Sequence, residues 1–351
     1  MIKSNFLDKL CINHELFLVT QNKVRVFLDT ASPGEMLFIE GPVDVGKKEA
    51  INRIAKDIAL NILSEDPDND QIMPVISFFA PALHNNTLYI REILNTWMDQ
   101  LIPQSAEIEL QMALRDREII DFSQADDRRI SRIKTLLRGR NCKIIIIHQA
   151  GYLRAFEKSK KHSEQRVFNL IHSIAKETGS VVVFTGPFGT FDTERSIPET
   201  TAASQVIDFP AYLFNEEDAI SDWLDLVDMI KNELPGAYHS AFRELEGTLM
   251  EGSLGCFGLL KKWLQKAVSL KKSNGYESIS FSECLLQTRP DANKLQLLLD
   301  DLHRDYLEEK SNYKDIRARI GMTKPKKSRN GKRGRIKRSA SRDPVASPED
   351  L

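Results

Sequence analysis

Residues 36–48 read MLFIEGPVDVGKK, and no other stretch of the chain limits its fold so tightly. A strand-like run over 36–40 enters a turn with glycines at 41 and 46, and helical spacing follows over 47–63. Strand, glycine turn and helix in that order fit G-x-x-x-x-G-K, a loop whose backbone N–H groups curl round phosphate oxygens at a helix N-terminus. Gly41, Pro42, Val43, Asp44, Val45, Gly46, Lys47 and Lys48 are the candidate nucleotide-binding residues, for ATP or ADP. Lys47 would reach the β- and γ-phosphates. An ordinary strand–turn–helix is the plainer alternative.

The pattern continues as an α/β domain. Apolar, β-branched runs predict strands over 73–79, 143–147, 181–184 and 205–209, separated by helical spacing over 88–101, 126–137 and 167–176. Near-continuous buried strands between helices imply a parallel sheet covered on both faces, a three-layer core over 1–212. After residue 212 the strand signal fades. Helices over 216–233, 238–250 and 254–270, with breaks at Pro235-Gly236 and Gly252, predict an all-helical lid over 213–275. A C-terminal helical extension over 276–323 includes a helix over 291–319, and a basic tail occupies 324–351. Trp97, Trp223 and Trp263 lie at helical spacing among Leu and Ile, which points to packing.

The chemistry around the loop is altered. The residue after Lys47 normally offers a hydroxyl to Mg²⁺, but Lys48 is a donor-only cation that would repel it. Two readings fit Lys48: a counter-charge to the triphosphate in place of Mg²⁺, or a surface lysine on a decayed site. The strand over 143–147 should end in Asp-Glu, which would anchor the metal and orient water. It ends in His148-Gln149. Neither carries a carboxylate, and no partner His or Cys has the spacing of a zinc site. No catalytic residue and no metal ligand follow from the pattern, and a role for Mg²⁺ is doubtful.

Charge adds a second theme. Lys and Arg number 49 and Asp and Glu 50, yet residues 324–338 hold nine bases and no acid, leaving the rest at 40 against 50, a net of −10. Those nine are Lys324, Lys326, Lys327, Arg329, Lys332, Arg333, Arg335, Lys337 and Arg338. They could neutralise nucleic-acid phosphates without reading sequence, or form a solvated tail, and their composition predicts disorder. Arg154, Lys158, Lys160, Lys161 and Arg166 form a second basic group, readable as a DNA contact or a solvated helix face. Cys11, Cys142, Cys256 and Cys284 make no C-x-x-C pair, and no signal sequence or apolar run near 20 residues occurs. A soluble cytoplasmic protein with free thiols is expected, without a membrane partner.

Over roughly residues 14–272 the chain resembles the TniB/TnsC-like AAA+ ATPases that regulate DNA transposition. Arg25-Val26-Phe27-Leu28 and Ser32-Pro33-Gly34-Glu35 look like that family's lead-in to the loop. The helix over 166–176, Thr178-Gly179 and VVVF match its run into the sensor strand, and Val206-Ile207-Asp208-Phe209-Pro210 with Tyr212 its last sheet strand. The most specific stretch, GSLGCFGLLKKWL from Gly252 to Leu264, is similar to its helical-lid motif. Departures fall where chemistry would occur: Lys48, His148, Gln149, Pro187 after the sensor strand, and Thr201-Ala202-Ala203-Ser204-Gln205 where arginines are usual, although Arg195 lies upstream. In related ATPases the loop holding Lys158, Lys160 and Lys161 faces a DNA channel. The resemblance implies a pseudo-ATPase adaptor that binds DNA and assembles with itself or a related AAA+ ATPase. It also implies a DDE transposase and a TniQ-type target-selection protein as partners. An active ATPase drawing on Asp44, Glu49 or a neighbouring subunit, and a nucleotide-independent scaffold, are the alternatives.

Overall fold

Runs of isoleucine and valine build the centre of the molecule. The structure, a computed structural model, describes residues 12–65, 72–80, 89–101, 122–154, 163–191, 202–212, 217–234, 236–273 and 279–307. All belong to one unit, Met1–Leu307; the second unit, Glu308–Leu351, lies outside the described residues.

Five strands, β1 (Met36–Glu40), β2 (Val75–Phe79), β3 (Ile144–His148), β4 (Val181–Gly186) and β5 (Ser204–Asp208), form the expected parallel sheet in the order β2-β3-β4-β1-β5. The inner strands β1, β3 and β4 are buried along their whole length, whereas the edge strands β2 and β5 are partly exposed. Side chains alternate between faces, as the period of two requires. Phe38, Ile145, Ile147 and Phe184 pack beneath α3 (Tyr89–Leu101), α4 (Phe122–Gly139) and α6 (Ser163–Thr178). Leu37, Ile39, Ile146 and Val183 meet α1 (Glu15–Thr30) and α2 (Lys47–Glu65) on the other face. Glu40 stands in register with Gly186 on one side and Asp208 on the other. The turns leaving β1, β4 and β5 therefore gather at one edge of the sheet, where open α/β sheets bind ligands.

A short helix α5 (Gly151–Arg154) follows β3. Beyond the sheet, α7 (Glu217–Glu233), α8 (His239–Glu244), α9 (Glu246–Ser253), α10 (Phe257–Ser273) and α11 (Phe281–Gln287) share a separate core around Trp223 and Trp263; α12 (Ala292–Leu307) follows. The helix expected over 238–250 is two helices, parted at Leu245, which takes a non-helical backbone with ψ 18°. Gly252 does not break a helix. It lies inside α9 because the Trp263 ring packs on it so closely that an added Cβ would sit 2.3 Å from the indole. The turn comes two residues later, at Leu254 and Gly255, with φ of 52° and 67°.

Trp263 joins three helices: its ring covers Gly252 in α9, and its Nε1–H donates to the Leu285 carbonyl of α11 at 3.0 Å. Trp263→Ala should cost about 3–5 kcal/mol in denaturant unfolding, the usual range for a buried tryptophan; a loss below about 1 kcal/mol would contradict its place in this core.

Candidate nucleotide site

The loop after β1 is shaped by two close approaches and two unusual backbone angles. A Cβ at Gly41 would lie 2.3 Å from the Phe209 carbonyl, so only glycine lets the loop leave β1 against the end of β5. Asp44 and Gly46 have φ of 62° and 121°, which turns the chain back on itself and starts α2 at Lys47. Consecutive amides in such a turn form a concavity for anions at a helix N-terminus. The Lys47 Nζ donates to the Gly41 and Pro42 carbonyls, at 2.7 Å each. Burial lowers the Lys47 pKa to about 8, opposed by Cys256, Asp44 and Glu40 nearby. The cradle fits a polyphosphate.

A cavity of about 1100 Å³ opens in front of this loop. Val43, Asp44, Val45, Gly46, Lys47 and Lys48 line it, as do His148 and Gln149; Gly41 and Pro42 stand behind, holding the lysine. The cavity therefore brings the candidate loop and the end of β3 together. Arg154 lies in α5 and Arg166 in α6, but neither side chain is described. Lys158, Lys160, Lys161, Arg195, Thr201 and residues 324–338 lie outside the described residues.

His148 is fixed as a neutral ring. Its Nε2–H donates to the Asn52 side-chain oxygen and its Nδ1 accepts from the Thr185 hydroxyl, both at 3.3 Å. Burial, then the Lys48 charge, push its pKa down to about 4. The Lys48 ammonium rests 4.5 Å from the centre of the Phe79 ring, a cation–π contact beside the imidazole. Gln149 has a φ of 54°, a strained backbone for a residue with a side chain. The two carboxylates lining the cavity are engaged: Asp44 accepts from Lys262 at 2.6 Å and Glu49 from Arg53 at 3.0 Å. Among the described residues no group of three or more His, Cys, Asp or Glu side chains converges. The donor set does not fit Mg²⁺, which wants oxygen ligands and meets Lys48 instead.

Four contributors lie outside the motif. Asn52, one turn into α2, and Thr185, on β4, orient His148. Pro187 does line the cavity after β4, but the polar group from that strand is Thr185, two residues earlier. From the lid, the Gly258 N–H donates to the Asp44 carbonyl at 2.8 Å, and Lys261 lines the cavity. A Cβ at Gly258 would fall 2.2 Å from that carbonyl, so the start of α10 sits directly on the loop.

Fold and site together define a P-loop α/β protein with a helical region appended. No protein-family model and no curated protein matches the chain. Among solved structures it is similar to the ORC2 protein of Aeropyrum pernix in its ADP form, at 12% identity and a TM-score of 0.52, over 92% of this chain and 89% of that one. ADPNP–ADP complexes of the same protein match at 11% identity and a TM-score of 0.51, over 91% and 88%. At such identities the likeness shows the fold alone: a P-loop α/β core with a parallel sheet, followed by a helical region. No described helix is long and apolar enough to cross a membrane.

The neutral histidines set an acid limit. Burial also lowers His14 to about 4, as it does His148, from an ordinary value of 6.5. The unfolded chain then binds more protons between pH 6.5 and 4, so stability is lost as pH falls through that window. Each histidine should contribute roughly 3 kcal/mol of this loss. Thermal midpoints taken from pH 7.5 to 4.5 should show it, with a shallower slope in His148→Gln; equal slopes would remove His148 from the account.

Proposed function

We propose that the chain is a degenerate AAA+ regulator of DNA transposition, similar to the TniB/TnsC ATPases, that binds ATP or ADP as a structural ligand without efficient hydrolysis. One observation carries this reading: a phosphate loop with its glycine geometry intact stands beside Lys48 and a neutral, hydrogen-bonded His148. Gly41, Gly46 and Lys47 would hold the phosphates, and Lys48 would add the positive charge that Mg²⁺ otherwise brings. The polar groups around His148 supply no carboxylate to take a proton from water. Hydrolysis in such proteins relies on a metal and a base, and the described residues around the loop offer a seat to neither.

The DNA part of the reading rests on charge and on the resemblance. Lys158, Lys160, Lys161 and the nine bases of 324–338 neutralise phosphates. Self-assembly or assembly with a related AAA+ ATPase, a DDE transposase and a TniQ-type protein completes the proposed adaptor.

Calorimetric titration with ATP and ADP, with and without Mg²⁺, tests the nucleotide part. Binding should be indifferent to Mg²⁺ and abolished in Lys47→Ala, and Lys48→Thr should make it depend on Mg²⁺. Robust turnover that disappears in Lys47→Ala would restore the active-ATPase reading, and partner binding with no nucleotide bound would favour a scaffold. Deletion of 324–338 should weaken DNA binding and flatten its salt dependence, by about 0.9 in log–log slope for each phosphate that is no longer neutralised. An unaltered slope would remove the tail from the interface.

A further inference from the structure

The cavity has an aromatic ring on each side of the phosphate loop. On one side a Cβ at Gly46 would lie 3.8 Å from the Phe17 ring, and Ile12 and Phe257 line the same cavity. On the other side the Lys48 ammonium rests 4.5 Å from the centre of the Phe79 ring. Tyr152 also lines the cavity, from α5 after β3, the strand paired with β2. The two sides lie far apart. Phe17 packs on Phe209, which follows β5, with ring centres 6.2 Å apart, whereas Phe79 closes β2. Those strands are opposite edges of the sheet, four spacings of about 4.8 Å or roughly 19 Å from one another. The cavity volume of about 1100 Å³ agrees, since a single small-molecule ligand usually occupies about 300–1,000 Å³.

Phe79 and Tyr152 are 47% and 45% exposed, so both offer aromatic surface to a ligand in the cavity. Lys48 covers Phe79 only while the loop is empty. A polyphosphate there draws the ammonium to its oxygens, because a charge-assisted bond to an anion outweighs an exposed cation–π contact. The Phe79 ring is then left bare beside the far end of the phosphate chain. A mononucleotide has one base and one place to put it, which leaves this end to water. An aromatic face next to a cationic phosphate seat binds a base by stacking, whatever the base. We infer that the cavity takes a dinucleoside polyphosphate: one base against Ile12, Phe17 and Phe257, the phosphates on Lys47 and Lys48, the second base against Phe79 and Tyr152. This rests on the nucleotide-binding reading above and names the ligand class of that site. A phosphate chain esterified at both ends also lacks the doubly charged terminal group of a free triphosphate, which suits two lysines without Mg²⁺.

The test works first from the ligand side, so it does not depend on a variant folding. Full-length protein is titrated, without Mg²⁺, with ATP, adenosine tetraphosphate, and diadenosine tri-, tetra- and pentaphosphate. Adenosine tetraphosphate has the longer chain and the greater charge but no second base. At least one diadenosine compound should bind about tenfold or more tightly than it does, the usual worth of one stacked base. Phe79→Ala or Tyr152→Ala should then shrink that ratio toward one. If adenosine tetraphosphate binds as tightly as every diadenosine compound, the second base has no seat and the inference is overturned while the nucleotide site stands. A diadenosine advantage that survives both substitutions overturns it too, since the second base then sits elsewhere. If none of the five binds, the nucleotide-binding reading falls and takes this inference with it.

Discussion

Strand β1 is held on both sides, by β4 and by β5, and the loop that leaves it inherits that restraint. The Phe209 N–H donates to the Glu40 carbonyl at 2.7 Å, and the Phe209 carbonyl closes over Gly41. On the far side of the loop, Asp44 receives the Gly258 N–H from the lid and pairs with Lys262. The Asp44–Lys262 ion pair is exposed on the lysine side and contributes little by itself. The backbone contact is stricter, since no side chain fits at Gly258. Loop, last strand and lid therefore meet through main-chain atoms, which fixes the cavity shape before any charged side chain is considered.

Much of this is legible in the sequence, and the gaps have physical causes. β1 reads at its observed bounds because a buried strand followed by glycine leaves no room for another period. The isoleucine run at β3 is equally plain, and with it the His148-Gln149 pair that follows the run. Helix α1 announces itself poorly, since its cap is a histidine, outside the usual set of capping side chains. Helix α11 does carry a local signal, the capping box of Ser280 and Glu283, which the weak apolar pattern around it obscures. The expected break at Gly252 treats glycine as punctuation, whereas tertiary packing by Trp263 demands it there. The site's supporting residues escape for a different reason. Asn52 lies 96 residues from His148 and Thr185 lies 37 away, while Tyr212 lies 198 residues from His14. No local spacing encodes pairs formed by strand order.

Lys47, Lys48 and His148 act together as one electrostatic environment. At neutral pH Lys47, with a pKa near 8, is still largely protonated, and Lys48 adds a second charge to the same cavity. Like charges held in one partly desolvated cavity repel more strongly than they would in water. A divalent cation would enter against both ammoniums, with Asp44 and Glu49 already engaged by Lys262 and Arg53. A polyphosphate meets the same field as attraction, and its charge would return Lys47 toward its ordinary pKa. His148 fits this scheme as a neutral partner: a protonated imidazole beside Lys48 would add a third positive charge, and burial keeps the proton off. Exclusion of a divalent cation and attraction of a polyphosphate thus follow from the same sign of charge. The Asn52 and Thr185 side chains hold His148 in that neutral form.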